Sequence, residues 1–265
     1  MKIALWQMQA SGDPAANLSA MLAGMAEAAA AGARLAVFPE YSMVWQAGGS
    51  DRIIAAAEPL DGPYTAALRA EAARLGLPVI INLFERNEAT GRPYNTLVAI
   101  DEAGEIAGLY RKVHLYNAFG YREDDSFTAG PDTAGTVVEL AGLRIGLQIC
   151  YDLRFPEGAR SVVDAGAELI VYPAAWVPGP MKEAHWAALL QARAIENTAY
   201  VAGAGMLYPA GSGGTRLVDP MGATQGDLGE QAGMLLAELD PERVRSVRAK
   251  NPSLDNRRFA VVPRG

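Results

Sequence analysis

Residues 146–157 read GLQICYDLRFPE. The first four finish an apolar run that begins at Leu143. Phe155, Pro156 and Glu157 then open what reads as a helix, because proline suits the first helical turn. Strands that hand over to helices through short turns are the units of α/β folds. The only cysteine of the chain, Cys150, stands at the junction. The C-terminal end of a strand, just before such a turn, is where α/β proteins place reactive groups. A lone cysteine is also a common small buried hydrophobe, and position alone does not choose between the two.

The same alternation runs through the rest of the chain. Residues 2–9 alternate apolar and polar and predict a strand. Asp13 and Pro14 supply a cap and a first helical residue for an Ala/Leu/Met-rich helix that reaches about Gly32. RLAVFPE (34–40) is a short strand stopped by Pro39, residues 65–75 a helix, and PVIINL (78–83) a buried strand. Further strands are predicted at 94–101, 105–112, 136–140, 143–149, 168–174, 200–207, 215–220 and 233–240, with helices at 156–166, 181–197 and 241–250, and a polar tail closes the chain. The Gly/Ser stretch at 211–214 reads as a hairpin or loop tip. No stretch rich in Pro, Gly or Ser divides the chain, and no period of 20–50 residues is present, so residues 1–265 are expected to form one α/β domain.

Composition narrows the functional classes. Half of the 265 residues are hydrophobic and 20% are charged, enough for a large core. A net charge of −7 argues against a nucleic-acid partner, which calls for a basic patch. One cysteine excludes an internal disulfide. The N-terminus lacks the long apolar region and cleavage site of a signal peptide. No apolar run approaches the roughly 18–20 residues of a membrane helix. The expectation is a cytoplasmic protein with neither nucleic-acid nor membrane partners.

A thiol with a reference pKa of about 8.5 is mostly neutral at pH 7 and needs a base or a nearby cation to act as a nucleophile. The chain has only two histidines, His114 and His185, and neither lies in a motif that pairs it with Cys150. A carboxylate and a lysine offer another route. AVFPEY ends a buried strand on Glu40, and GLYRKVHL ends another on Lys112. Each alone fits a surface charge as well. Together they place an acid, an ammonium and a thiol at three strand ends.

These three motifs, FPEY, YRKVHL and CYDLRFPE, resemble the nitrilase superfamily of carbon–nitrogen hydrolases, and the resemblance covers essentially the whole chain. It implies a four-layer αββα sandwich. It also implies a catalytic set in which Glu40 is the general base, Lys112 the cation that stabilises the oxyanion and Cys150 the nucleophile. A second glutamate a few residues before a glycine is matched by Glu123 and Gly130 in REDDSFTAGP. No metal and no organic cofactor is implied. The family tends to pair subunits through helices beside the nucleophile, so a homodimer or larger homo-oligomer is expected, through the helices at 156–166 and 181–197.

Tyr41, Tyr116, Tyr151 and Trp176 flank the motifs and would wall an apolar pocket, with core packing as the competing fate. Arg154 fits either a substrate carboxylate, gripped as a bidentate fork, or a partner for Glu157 three residues on. True nitrilases of the superfamily usually follow the cysteine with Trp-Glu. Tyr151-Asp152 stand here and favour a small amide as substrate, hydrolysed to carboxylate and ammonia through a thioester. Hydrolysis of N-carbamoyl amides ranks lower, because the paired arginines of that branch are replaced by Leu153-Arg154. Nitrile hydrolysis is the other alternative within the superfamily. A non-catalytic binding scaffold would have no need of all three reactive residues.

Overall fold

The computed structural model describes residues 1–48, 50–131 and 135–262, with the backbone alone at residue 50. The end of the polar tail, residues 263–265, lies outside the described residues. Two six-stranded sheets face each other. The first contains β1 (Lys2–Gln7), β2 (Ala36–Val37), β3 (Val79–Glu85), β4 (Tyr94–Ile100) and β5 (Ile106–Arg111). A two-stranded hairpin of β6 (Asn117–Ala118) and β7 (Tyr121–Arg122) follows. The second sheet takes β8 (Thr136–Leu140), β9 (Leu143–Leu147), β10 (Leu169–Ala174), β11 (Tyr200–Gly205), β12 (Arg216–Val218) and β13 (Thr224–Asp227). The last strand, β14 (Gly233–Glu238), returns to the first sheet. The strand orders are β14-β1-β2-β3-β4-β5 and β13-β12-β11-β10-β9-β8. At the centre of each sheet the pairs are parallel, β1-β2-β3 in one and β9-β10-β11 in the other, and the flanking pairs are antiparallel.

Helices α1 (Pro14–Ala30), α2 (Ser50–Ala56) and α3 (Pro63–Leu75) pack on the outer side of the first sheet. Helices α4 (Pro156–Asp164) and α5 (Lys182–Asn197) pack on the outer side of the second. Helix α6 (Pro241–Lys250) follows β14. This is the αββα layering that the resemblance implied. The strand period of two sorts the first sheet's side chains between its faces. Ile3, Leu5, Val37, Ile80, Leu97 and Ala99 turn inward to the second sheet, and Ala4, Ala36, Val79, Ile81, Val98 and Ile100 turn to the helices. Both faces of β3 are therefore covered and all seven of its residues are buried, which is why its sequence is almost unbroken apolar.

Local chemistry sets several boundaries. Asp13 accepts hydrogen bonds from the N–H groups of Ala15 (2.9 Å) and Ala16 (3.4 Å), with Pro14 as first helical residue. Asp240 and Pro241 repeat the device at α6. The second predicted strand shrinks to Ala36 and Val37, because the chain must leave the sheet to present Glu40. The shortest elements had no usable sequence signal: α2 is seven residues long, β6 and β7 have two residues each, and β13 is the polar edge sequence TQGD. The glycine stretch 211–214 does connect β11 to β12, but it packs inward rather than forming an exposed tip, and Gly211 and Gly213 are buried.

Candidate active site

The predicted strand ends converge. Glu40 follows β2, Lys112 follows β5, and Cys150 opens a 3-10 turn, Cys150–Arg154, just after β9. Glu123 opens a second 3-10 turn, Glu123–Asp125, at the end of the β6–β7 hairpin. Glu40, Lys112, Glu123 and Cys150 all line one cavity of about 220 Å³. The first three are only 1% exposed.

The charges are fixed by a dense set of bonds. Lys112 Nζ lies 2.8 Å from Glu40 Oε1 and 2.8 Å from Glu123 Oε2. Asn95 Nδ2 donates to Glu40 Oε1 at 2.8 Å and to Glu123 Oε1 at 3.3 Å. The other Glu40 oxygen, Oε2, accepts the backbone N–H of Ala175 at 2.8 Å, from the end of β10 in the opposite sheet. Glu123 Oε2 accepts the N–H of Tyr116 at 2.6 Å. Asn95 is itself anchored: its Oδ1 accepts from Asn82 Nδ2 at 2.7 Å, and Asn82 Oδ1 takes the N–H of Tyr41 at 2.8 Å. Each carboxylate therefore has both oxygens occupied, as a buried anion requires.

These neighbours set the protonation states. Burial pulls the Lys112 ammonium toward the neutral form, but Glu123 and Glu40 outweigh it and hold its pKa well above the usual lysine value. Burial raises the Glu123 carboxyl, Lys112 opposes that, and Glu40 adds to it; the net shift is upward. The Cys150 thiol is pushed well above its ordinary value, first by burial, then by Glu40, with Lys112 opposing. Cys150 therefore rests as a neutral thiol beside an ion cluster.

Two non-glycine residues lining the cavity carry positive φ, Tyr41 at 64° and Cys150 at 42°. Such conformations cost about 1–3 kcal/mol each outside glycine and persist only where surroundings enforce them. For Cys150 the enforcement comes from Asp152, which is fully buried. Its Oδ2 accepts the N–H of Ile149 and the hydroxyl of Tyr110, both at 2.9 Å, and its Oδ1 lies 2.7 Å from Nδ1 of His114. His114 stacks on Phe155 with ring centroids 3.8 Å apart. Neither histidine lines the cavity. Gly130, the glycine after Glu123, donates its N–H to Lys112 O at 2.8 Å, and a Cβ there would run into the carbonyl oxygen of Arg111.

Tyr41, Tyr116, Tyr151 and Trp176 all line the cavity. Tyr41 packs in the core as well, edge-on to Phe84 and Phe127. Arg154 makes no ion pair with Glu157, and its Nε is buried with no hydrogen-bond partner among the described residues. The 3-10 turn sends its guanidinium over the Trp176 ring, 4.8 Å from the centroid, with Nη2 3.4 Å from Nδ1 of His185. Sequence reasoning missed Asn95, Trp45, Tyr121 and Lys182. Lys182 looked like one more charge on a helix, and only its position as first residue of α5, beside Trp176, hinted otherwise.

Comparison with known proteins agrees with this geometry. The carbon-nitrogen hydrolase family model matches residues 2–249. A deaminated glutathione amidase of Escherichia coli O157:H7 is 42% identical over 236 residues, 89% of each chain. Among solved structures, the NitFhit protein of C. elegans superposes with a TM-score of 0.90 at 29% identity; the match covers 97% of this chain and 65% of that one. An amidase from Nesterenkonia sp. superposes with a TM-score of 0.77 at 30% identity over 94% of each chain. A structure of a mutant of that amidase shows the result of Michael addition of acrylamide at its active-site cysteine. The strand-end convergence, the αββα layers and a family match over nearly the whole chain lead to one assignment: the chain belongs to the carbon–nitrogen hydrolase family, in the nitrilase superfamily.

Proposed function

We propose that the chain hydrolyses the C–N bond of small amides through a thioester on Cys150. The observation that carries this reading is the trio Glu40–Lys112–Glu123, buried with every carboxylate oxygen hydrogen-bonded, in the cavity that holds the only thiol. Because Cys150 rests protonated, a base must take its proton as attack occurs. Glu40 is that base. The sulfur bonds to the amide carbon, and the carbonyl electrons move to oxygen. The Lys112 ammonium and the N–H of Tyr151 stabilise the oxyanion, and a single such donor is worth about 2.7–4 kcal/mol of barrier. Glu40 returns the proton to nitrogen as the C–N bond breaks, and ammonia or an amine leaves. Water then attacks the thioester, Glu40 takes its proton, and the thiol is regenerated with a carboxylic acid. Glu123 holds Lys112 and assists this proton traffic.

The cavity is small and rich in aromatic walls, which suits a short acyl chain. Deaminated glutathione, named for the E. coli relative, belongs in the first substrate panel with simple aliphatic amides, N-carbamoyl compounds and nitriles. The expected result is ammonia or amine release, with an acyl adduct seen by intact mass that is absent from Cys150→Ala. No product from any compound and no adduct would point instead to a binding scaffold. The same reading takes residues 1–265 as one catalytic domain acting in the cytoplasm as a homodimer or larger through α4 and α5. Sedimentation at micromolar concentration tests the assembly. Among the described residues, no helix is long and apolar enough to cross a membrane.

A further inference from the structure

Two asparagines, Asn82 on β3 and Asn95 on β4, lie fully buried on paired strands of the first sheet. Buried amides have to be satisfied, and here their bonds run in one direction only. The chain of bonds starts at two backbone groups whose roles are fixed. The N–H of Tyr41 donates to Asn82 Oδ1 at 2.8 Å, and Thr96 O accepts from Asn82 Nδ2 at 3.2 Å. Asn82 is therefore held in one orientation of its amide. Its Nδ2 also donates to Asn95 Oδ1 at 2.7 Å, which turns Asn95 Nδ2 toward the carboxylates. That group donates to Glu40 Oε1 at 2.8 Å and to Glu123 Oε1 at 3.3 Å.

One ammonium, Lys112, faces two carboxylates in this cluster. A proton on one of them is the simplest relief for the surplus negative charge, and which one takes it decides whether a base is present. Lys112 leans toward Glu123. Its Nζ reaches both Glu123 oxygens, at 3.0 and 2.8 Å, and bonds Glu40 through Oε1 at 2.8 Å. Each carboxylate also accepts one backbone N–H, from Tyr116 and from Ala175. Cys150, Tyr41 and Tyr121 are the other titratable groups beside Glu40. Burial first of all holds each above its ordinary value, so they are neutral and add no charge. Asn95 tips the balance, with its short bond on Glu40 and its long one on Glu123. Resting on the amide-hydrolase reading, we infer that Asn95 is a positioning residue that selects the base: its amide keeps Glu40 ionised and leaves Glu123 as the carboxylate that takes a proton first. Asn95 is 0% exposed and meets no substrate, so it acts only through the carboxylates.

The test follows the carboxyl carbons of Glu40 and Glu123 by carbon-13 NMR across pH, each signal identified by its loss in Glu40→Gln or Glu123→Gln. In the wild type the Glu123 signal should move first as the pH is lowered. Asn95→Leu keeps the bulk and removes the amide. The Glu40 signal should then move first, about one pH unit higher than in the wild type, the shift that matches one lost hydrogen bond to a charge. In amide hydrolysis by this variant, kcat should fall about tenfold or more while KM changes little. The acidic limb of the kcat/KM profile should move to higher pH with the Glu40 signal. A wild type in which the Glu40 signal moves first overturns the inference without any variant. So does a folded Asn95→Leu chain that keeps the wild-type order, whatever its Tm; a loss of kcat with that order intact would make Asn95 structural and leave the amidase reading standing. A reversed order in Asn95→Leu, with no hydrolysis of any amide by the wild type, would support the hold on the charges and sink the amidase reading alone.

Discussion

Lys112 Nζ sits 2.8 Å from Glu40 Oε1, although 72 residues separate the two in sequence. The pair is buried, and Glu123 closes it from the other side. Replacing the ammonium in Lys112→Met leaves two carboxylates facing each other without a cation. The expected loss of stability is about 3–5 kcal/mol, the cost of breaking a buried pair by removing one partner. If Lys112 stabilises the oxyanion as proposed, turnover should fall by about a hundredfold or more. Adding Glu123→Gln should restore part of the stability and none of the turnover. Urea unfolding and product assays read both; a Lys112→Met chain as stable as wild type would contradict the ion cluster.

The raised pKa of Cys150 gives a signed pH prediction. With burial and Glu40 pushing it up, the thiolate forms only above the ordinary thiol range. Alkylation by a small neutral reagent such as chloroacetamide should therefore be slow at pH 7–8 and accelerate only at higher pH. Lys112 lowers the Cys150 value and Glu40 raises it. The midpoint should climb in Lys112→Met and fall in Glu40→Gln. Intact-mass kinetics across pH give the midpoints, and shifts of the opposite sign would refute the electrostatic account.

Asp152 holds the turn that carries Cys150 through Ile149 and Tyr110. In Asp152→Asn one carboxylate oxygen becomes an NH₂, which must face a donor on one side. The expected loss is about 1.5–3 kcal/mol, as for a hydrogen bond to a charged group. The positive φ of Cys150 depends on this turn, so a fall in kcat should accompany it, since about 1 Å of misplacement is enough to cost catalysis. Thermal unfolding and kcat are the readouts; loss of stability with kcat untouched would separate the turn from the nucleophile's placement.

Gly130→Ala adds a methyl group against the carbonyl of Arg111, one residue from Lys112. Crowding of this kind costs about 1–3 kcal/mol. The same strain should loosen the bond between Gly130 N–H and Lys112 O and lower turnover. A variant with wild-type Tm and activity would show that the loop yields freely.

Much of the architecture was legible locally. The apolar runs at 78–83 and 168–174 announce strands covered on both faces, and Asp13-Pro14 and Asp240-Pro241 announce helix starts. These signals follow from the strand and helix periods and from backbone capping, which act over a few residues. The short elements β6, β7, β13 and α2 gave no such signal, because two to four residues are too few to express a strand period and the seven of α2 span less than two helical turns.

The sequence by itself determined which segments cross the core and which reactive side chains stand at their ends: Glu40, Lys112 and Cys150. Only the tertiary structure decided what those groups touch. It placed Asn95 between two carboxylates, brought Ala175 from the opposite sheet to Glu40, turned Arg154 onto Trp176 and left Lys182 in the wall without a carboxylate. The physical reason is range. Periodicity reports which face of an element is buried, whereas a polar group's partner comes from another element and is fixed only when the sheets pack.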